Sequence, residues 1–325
     1  MKLITKSPVF FLKLFFIFQF SCITLCYSES FSKCFPEKFS FICDNPNDFL
    51  LRSGVNIENN IIEQARLRLL EEKFDGGCHG GIYQGNHNTY FIKRSNVFTE
   101  FIGSKLMNLI VGKTCTPTVR LVKDQVNCVA SEKLRKFSNK KEFKKKVKRK
   151  HLSGEVDITI AMDYLGIVDR HSKNIGYVKL RKKKLLAARV DFDASFAFEI
   201  RPRANSTYKE NSNHKNLNLL YLSMQTFPEH QVRSAIQKIV NIPDEKIILT
   251  VFECWATFNK LGYVISSESC FALAHKLIER KMAFKTVLDD PNSVTYASLE
   301  ADPMFKKLFK KLKKNKHKKK SRYIN

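Results

Sequence analysis

The sequence predicts an α+β protein of two lobes, a small β-rich one followed by a larger, mainly helical one. Three observations predict it. A glycine-rich stretch feeding a β-rich run, "GGCHGGIYQGNHNTYFIKRS", precedes an amphipathic pattern and further apolar runs of strand length. Past residue 150 the chain turns helical, except for two short stretches in which acids interrupt apolar runs. The chain of 325 residues, 43% hydrophobic and 12% aromatic, is long enough to bury a core of about two domains or one two-lobed domain.

In chain order, "MKLITK" supplies positive charge, and "LFFIFQFSCITLC" after Lys13 is apolar but short of the ~20 residues that cross a bilayer. Residues 1–28 are therefore expected to be a signal peptide, cleaved near Ser28, with an uncleaved anchor as the alternative. That places the protein in the secretory pathway or outside the cell that makes it, for example as a host-directed effector. Residues 29–73 form an expected N-terminal helical segment, because "NNIIEQARLRLLEEKF" (59–74) has helical apolar spacing. Residues 74–135 are the expected first lobe. Its helix, 97–112, sets Phe101, Leu106, Leu109 and Ile110 on one side, and "PTVRLV" and "NCVASEKL" read as strands. Residues 136–300 are the expected second lobe, with helices at "LNLLYLSMQTF", "HQVRSAIQKIVN" and "ESCFALAHKLIERKMAFKTVL" and with Trp255 in the core. Residues 301–325 form a basic amphipathic tail in which Phe305, Leu308, Phe309 and Leu312 make one apolar stripe.

The formal charge of +26 points to acidic partners such as phosphorylated lipids, nucleotides or nucleic acid, with a lysine-rich, AT-biased genome as an equal contributor. Specific nucleic-acid recognition is not expected, since no recognition motif accompanies the charge. The basic run 133–150 reads as a loop or an exposed basic helix. Beyond the signal, the cysteines are Cys34, Cys43, Cys78, Cys115, Cys128, Cys254 and Cys270. No pair has the C-x-x-C spacing of a zinc site. Cys34 and Cys43 suit a local disulfide, or the thiols are free and buried as small hydrophobes. Asn205, in "NST", is a glycosylation sequon.

The chemistry concentrates in "IVDRHSKNIGYV" (167–178) and in "ARVDFDASFAF", whose Asp191 and Asp193 sit in an otherwise apolar run. A glycine-rich turn lets backbone amides approach phosphates, and a lysine on the following strand can pair with them when a helix glutamate holds it. Gly76, Gly77, Gly80 and Gly81 with Lys93 and Glu100 fit that layout. Phosphoryl transfer further needs an acid to orient a hydroxyl, an amide to bind a metal, and an acid bridging metal to phosphate. Asp169, Asn174 and Asp191 supply these in that order, with "KLRKKKLL" between the last two reading as a basic hairpin.

"DRHSKN" followed by "VDFD" resembles the D-R-H-x-x-N catalytic loop and D-F-G-like metal motif of the atypical kinases, especially phosphatidylinositol 3- and 4-kinases and HipA-like protein kinases. "TEFIGSKLMNLIVGKTCTPTVRLV" followed by "VASEKL" resembles the helix, strand and hinge that precede those motifs, so the resemblance spans roughly residues 74–200. It implies a bilobal protein-kinase-like fold and transfer of the γ-phosphoryl group of ATP, with Mg2+, to a phosphoinositide or a protein Ser/Thr hydroxyl. Asp169 becomes the catalytic acid or base within the Asp169, Arg170, His171 triplet, His171 being read as a brace in preference to a general base. Asn174 and Asp191 would hold Mg2+, Lys93 would contact the α/β-phosphates, and Ser131 and Glu132 would lie on the adenine-binding hinge. Asp193 replaces the glycine of the family motif, either as a further metal ligand or as a sign of shifted register. The competing reading is a non-catalytic kinase-like module that holds anionic membrane or nucleic acid on its basic surface, with the tail as the membrane contact.

Overall fold

The computed structural model describes residues 46–75, 78–123, 125–139, 152–180, 184–196 and 212–290. After helix α1 (Pro46–Arg52) and two short 3-10 turns come strands β1 (Ile61–Ile62), β2 (Arg68–Asp75), β3 (Cys78–Gln84) and β4 (Thr89–Arg94). Helix α2 (Val97–Val111) follows, then β5 (Val119–Val122) and β6 (Cys128–Glu132). The six strands form one sheet in the order β1-β5-β6-β4-β3-β2, antiparallel except for the β1–β5 pair.

A second sheet, ordered β7-β9-β10-β8, joins β7 (Phe137–Asn139), β8 (Leu152–Ser153), β9 (Ile175–Lys179) and β10 (Leu185–Arg189). Its strand β10 packs on α3 (Glu155–Tyr164), which packs in turn on α4 (Ser212–Met224) and α5 (Glu229–Val240), and α7 (Ser267–Asp289) joins these two to α6 (Asp244–Lys260). This is the two-lobed α+β arrangement expected, with the hairpin between Asn174 and Asp191 formed by β9 and β10.

The helix expected over 59–74 is not formed. The stretch is a 3-10 turn, the two-residue β1, a second turn and strand β2. Arg, Leu, Glu and Lys favour a helix by only a few tenths of a kcal/mol each, and tertiary context overrides that preference. Here the context is β3, which pairs with β2 from Arg68–Gln84 to Asp75–Cys78. A bulge between Leu69 and Glu71 breaks the strict alternation that would have marked a strand, and leaves Leu69 and Leu70 both about half exposed. The sheet of the first lobe thus already takes in residues 61–62 and 68–75.

The register of the first sheet decides where its polar residues go. Lys93 lies opposite Val129 and Phe91 opposite Ser131, whereas Ile92 lies opposite Ala130 and Tyr90 opposite Glu132. Residues directly opposite share a face. Val119, Leu121 and Val129 join one large core with Phe101 and Leu106 of α2, Ile160 of α3, Phe252 and Phe258 of α6 and Leu277 of α7. Tyr90, Ile92, Val122, Cys128 and Ala130 make a separate small cluster on the other face. Lys93 therefore belongs to the face that looks toward the helical lobe.

Trp255 is core as expected, its indole N–H donating to the Ile265 carbonyl at 3.0 Å. Cys115, Cys128, Cys254 and Cys270 are buried and in no disulfide, and burial pushes Cys115 up to about 11 and Cys270 up to about 12, which keeps those two unreactive. The expected signal peptide, Cys34 and Cys43, Asn205, the basic run from residue 140 and the C-terminal tail lie outside the described residues. Among the described residues no helix is long and apolar enough to cross a membrane.

Candidate active site

The site starts at the end of β4. Two residues after Arg94, Asn96 caps α2: its side chain accepts from the Thr99 N–H and its carbonyl from the Glu100 N–H at 3.0 Å. A cap so close to the strand fixes Glu100 in the first helical turn, fully buried. Glu100 Oε2 lies 3.3 Å from Lys93 Nζ and accepts from the Phe192 backbone N–H at 2.7 Å. Lys93 also donates to Asp191 Oδ1. One carboxylate thus pins both the lysine and the backbone just after Asp191.

Shape lets α2 come that close. A Cβ on Gly103 would stand 2.3 Å from Ser195 Oγ and 3.2 Å from Phe192 Cβ, so only glycine admits the 192–195 turn against the helix. The Thr99 hydroxyl adds a bond to the Asp193 carbonyl at 2.7 Å. Asp191 itself has φ of +70°, in the left-handed region that costs a non-glycine residue on the order of 1 kcal/mol. Arg189, wholly buried on β10, donates to the Asp191 carbonyl at 2.9 Å and so supports that conformation.

The electrostatics follow from this burial. Desolvation disfavours the Lys93 ammonium, but Glu100 and Asp191 more than offset it and hold the group up at about 12. Burial raises the Glu100 carboxyl, which Lys93 lowers and Asp191 raises again, leaving it at about 7. Burial also works against the Asp191 carboxylate, yet Lys93 beside it outweighs burial and holds it below the ordinary range. Burial brings Arg189 down to about 10, against the pull of Asp169 and Asp191.

The other half of the site is the loop between α3 and β9. Asp169 accepts from the His171 backbone N–H at 3.0 Å through one oxygen and from the Asn174 side-chain amide at 2.7 Å through the other. His171 Nδ1 accepts from the Lys173 N–H at 3.2 Å, a local brace of the loop. The Val190 N–H donates to the Asn174 carbonyl at 2.9 Å, which ties the loop to the strand end that delivers Asp191.

Of the residues singled out in the sequence, the fold brings Lys93, Glu100, Asp191 and Asp193 together, and joins Asp169 to Asn174. Glu100, Asp191 and Asp193 offer carboxylate oxygens within 4.8 Å of one another. Gly80 and Gly81 lie inside β3, paired to Lys93 and Ile92, and so are not part of the expected phosphate-facing turn, while Gly76 and Gly77 lie outside the described residues. At Gly80 the requirement is close approach, since a Cβ would meet the Ile92 carbonyl at 2.6 Å. Ser131 shares the Lys93 face, whereas Glu132 belongs to the alternate face and lines a cavity of about 630 Å3 with Asn60, Lys105, Arg120 and Glu253. Arg170 pairs with Asp163 of α3.

Sequence reasoning missed Arg189, Gly103 and Asp163. A charge inside the apolar run "LLAARV", and another inside "IAMDYL", were the available signals for the two charged residues; nothing in the sequence marks Gly103.

No model of a protein family matches the chain, and no curated protein matches it. Solved structures do. A Helicobacter pylori proinflammatory kinase, CtkA, is 15% identical over 70% of this chain and 96% of its own, with a TM-score of 0.44. WaaP, solved in complex with acyl carrier protein, is 13% identical over 65% of this chain and 95% of its own, with a TM-score of 0.30. At TM-scores under 0.5 neither likeness carries a functional conclusion. What this chain can do is read from its own site.

Proposed function

We propose that the chain is an ATP- and Mg2+-dependent phosphotransferase of the atypical kinase type, acting on a phosphoinositide or a protein Ser/Thr hydroxyl. The observation that carries this reading is the convergence of Lys93, Glu100 and Asp191, remote in sequence, on one buried ion cluster next to the Asp169–Asn174 loop. Lys93, held by Glu100 on the helix side, is oriented as a phosphate clamp whose Asp191 contact is the one a phosphate would replace. Asp169 is an acceptor for a hydroxyl proton, and the two donors on its oxygens set its direction. His171 then serves as a brace.

The donor set also fits a hard divalent cation. Asn174 has its amide nitrogen committed to Asp169, which leaves its oxygen as a ligand, and Asp191 and Asp193 add carboxylate oxygens. Mg2+ bound there would neutralise charge on the β- and γ-phosphates. Lys93, now on Asp191, would pass to the phosphates.

The signal peptide and basic tail expected from the sequence favour a secreted enzyme working beside an anionic membrane, and that location would favour a lipid acceptor. Incubating the mature chain with labelled ATP, Mg2+, acidic lipid vesicles and casein tests the reading. Label is expected in lipid or protein and is lost in Asp191→Asn. Transfer that survives in Asp191→Asn would sink the assignment.

A further inference from the structure

Asp163 stands next to the last residue of α3 and is wholly buried. A carboxylate taken out of water is tolerated only where its oxygens are paired. Both oxygens of Asp163 are paired, and to different parts of the chain. Oδ1 receives the Arg170 guanidinium from the catalytic loop, and Oδ2 receives the Ser223 hydroxyl of α4 at 2.6 Å. Arg170 is the immediate neighbour of Asp169, and residues 167–171 have no regular secondary structure to hold them. The other bonds that hold this loop are mostly its own short-range ones on Asp169, His171 and Asn174, with Ile167 N–H to the Met162 carbonyl at 2.9 Å and Val190 N–H to the Asn174 carbonyl at 2.9 Å tying its ends.

We propose that Asp163, with Ser223 as its second partner, is the positioning residue of the catalytic loop, and that Arg170 anchors the loop instead of touching substrate. The proposal rests on the phosphotransferase reading of Asp169 and deepens it. The residue types follow from donor arithmetic. A guanidinium and a hydroxyl both donate, and only a carboxylate gives each a full acceptor. Asparagine, of the same shape, could turn its NH2 group to the Ser223 oxygen but would leave the Arg170 guanidinium a single neutral acceptor in place of a carboxylate. About a third of the Arg170 side chain is exposed, so what the pair supplies is geometry more than strength. Asp169 follows its neighbour, and an acid that must meet a hydroxyl loses rate steeply with sub-ångström misplacement.

The test compares full-length Asp163→Asn, Ser223→Ala, Arg170→Met, Arg170→Lys and the Asp163→Asn/Arg170→Met double variant, with Asp169→Asn as control. Two quantities are read: kcat and KM for ATP, and hydrogen exchange of amides 167–174. Asp163→Asn should lower kcat by ~10- to 100-fold, with KM for ATP within about threefold of wild type, because placement of the acid is lost while the nucleotide site stands. Exchange over 167–174 should quicken while that over α2 and β4 is unchanged. Arg170→Met should match it, Arg170→Lys should recover most of the rate, and Ser223→Ala should show a smaller loss of the same kind. The double variant should be no slower than either single, and more heat-stable than Arg170→Met, which leaves the Asp163 charge buried without its cation. Wild-type kcat and wild-type exchange in Asp163→Asn overturn the proposal. If Asp169→Asn keeps full turnover, the phosphotransferase reading falls instead, and exchange alone decides the anchoring. If Asp163→Asn does not fold, Ser223→Ala and the Arg170 pair decide it.

Discussion

The two halves of the site are built in opposite ways. Lys93, Glu100 and Asp191 come from β4, α2 and the end of β10, lie largely out of water, and meet only because two lobes close on each other. Asp169, His171 and Asn174 come from one short loop, stay nearer the solvent, and hold one another through bonds across a few residues. The first half is a product of packing and fails when packing shifts. The second is a local motif and survives such shifts, provided its anchor holds. Enzymes that move charge through a buried cluster and protons through an accessible loop need this division, since the first task gains from low dielectric and the second from access.

The largest expected effect breaks the buried half directly. Lys93→Met should reduce turnover by at least ~100-fold, the loss seen when a preorganised electrostatic donor is removed. ATP affinity should fall with it, which isothermal titration would show. Asp169→Ala should instead stop transfer and leave ATP affinity near wild type, so the two variants separate the halves by their binding. Equal affinity losses in both would erase the distinction.

A packing change should reach the buried half without touching a charge. Gly103→Ala places a methyl where Ser195 stands, forces α2 off the 192–195 turn, and should destabilise the protein by about 1–3 kcal/mol. The Glu100 contact with the Phe192 N–H should weaken at the same time, so ATP affinity should fall along with the melting temperature. A melting temperature equal to wild type would mean the turn yields freely.

Asp193→Asn should be milder than Asp191→Asn, because Asp191 accepts directly from Lys93 and its backbone is the one that Arg189 supports. Parallel Mg2+ titrations of nucleotide binding compare them, and equal losses would make Asp193 a full partner.

The smallest effect is a pH trend. Burial raises the Glu100 carboxyl from 4.5 to about 7, so the folded chain takes up a proton that the unfolded chain does not. The stability linked to that proton is fully present below the unfolded value and is lost as pH rises through about 7. Wild type should therefore lose stability relative to Glu100→Gln, which cannot titrate, between pH 4.5 and about 7. Melting curves of both proteins across that window check it, and parallel curves would refute it.

Sequence by itself determined the elements whose signal is local. Helix 97–112 was legible in its apolar spacing, the β9–β10 hairpin because two apolar runs flank a basic run, and the 167–174 loop because its partners lie within a few residues. It failed at 59–74, where helix formers sit on a bulged strand whose partner ladder is invisible in composition. Tertiary structure alone decided which face Lys93 takes, since a slip of one residue in the β4–β6 register would turn it to the outer cluster. It decided as well that Glu100 is near enough to serve Lys93 and the Phe192 N–H together, that Gly103 is a contact and not a flaw in a helix, and that Arg170 pairs with Asp163. The physical reason is common to all of these. Local bonds are written in residue spacing, whereas desolvation, close approach and the pairing of buried charges exist only once distant segments have closed on one another.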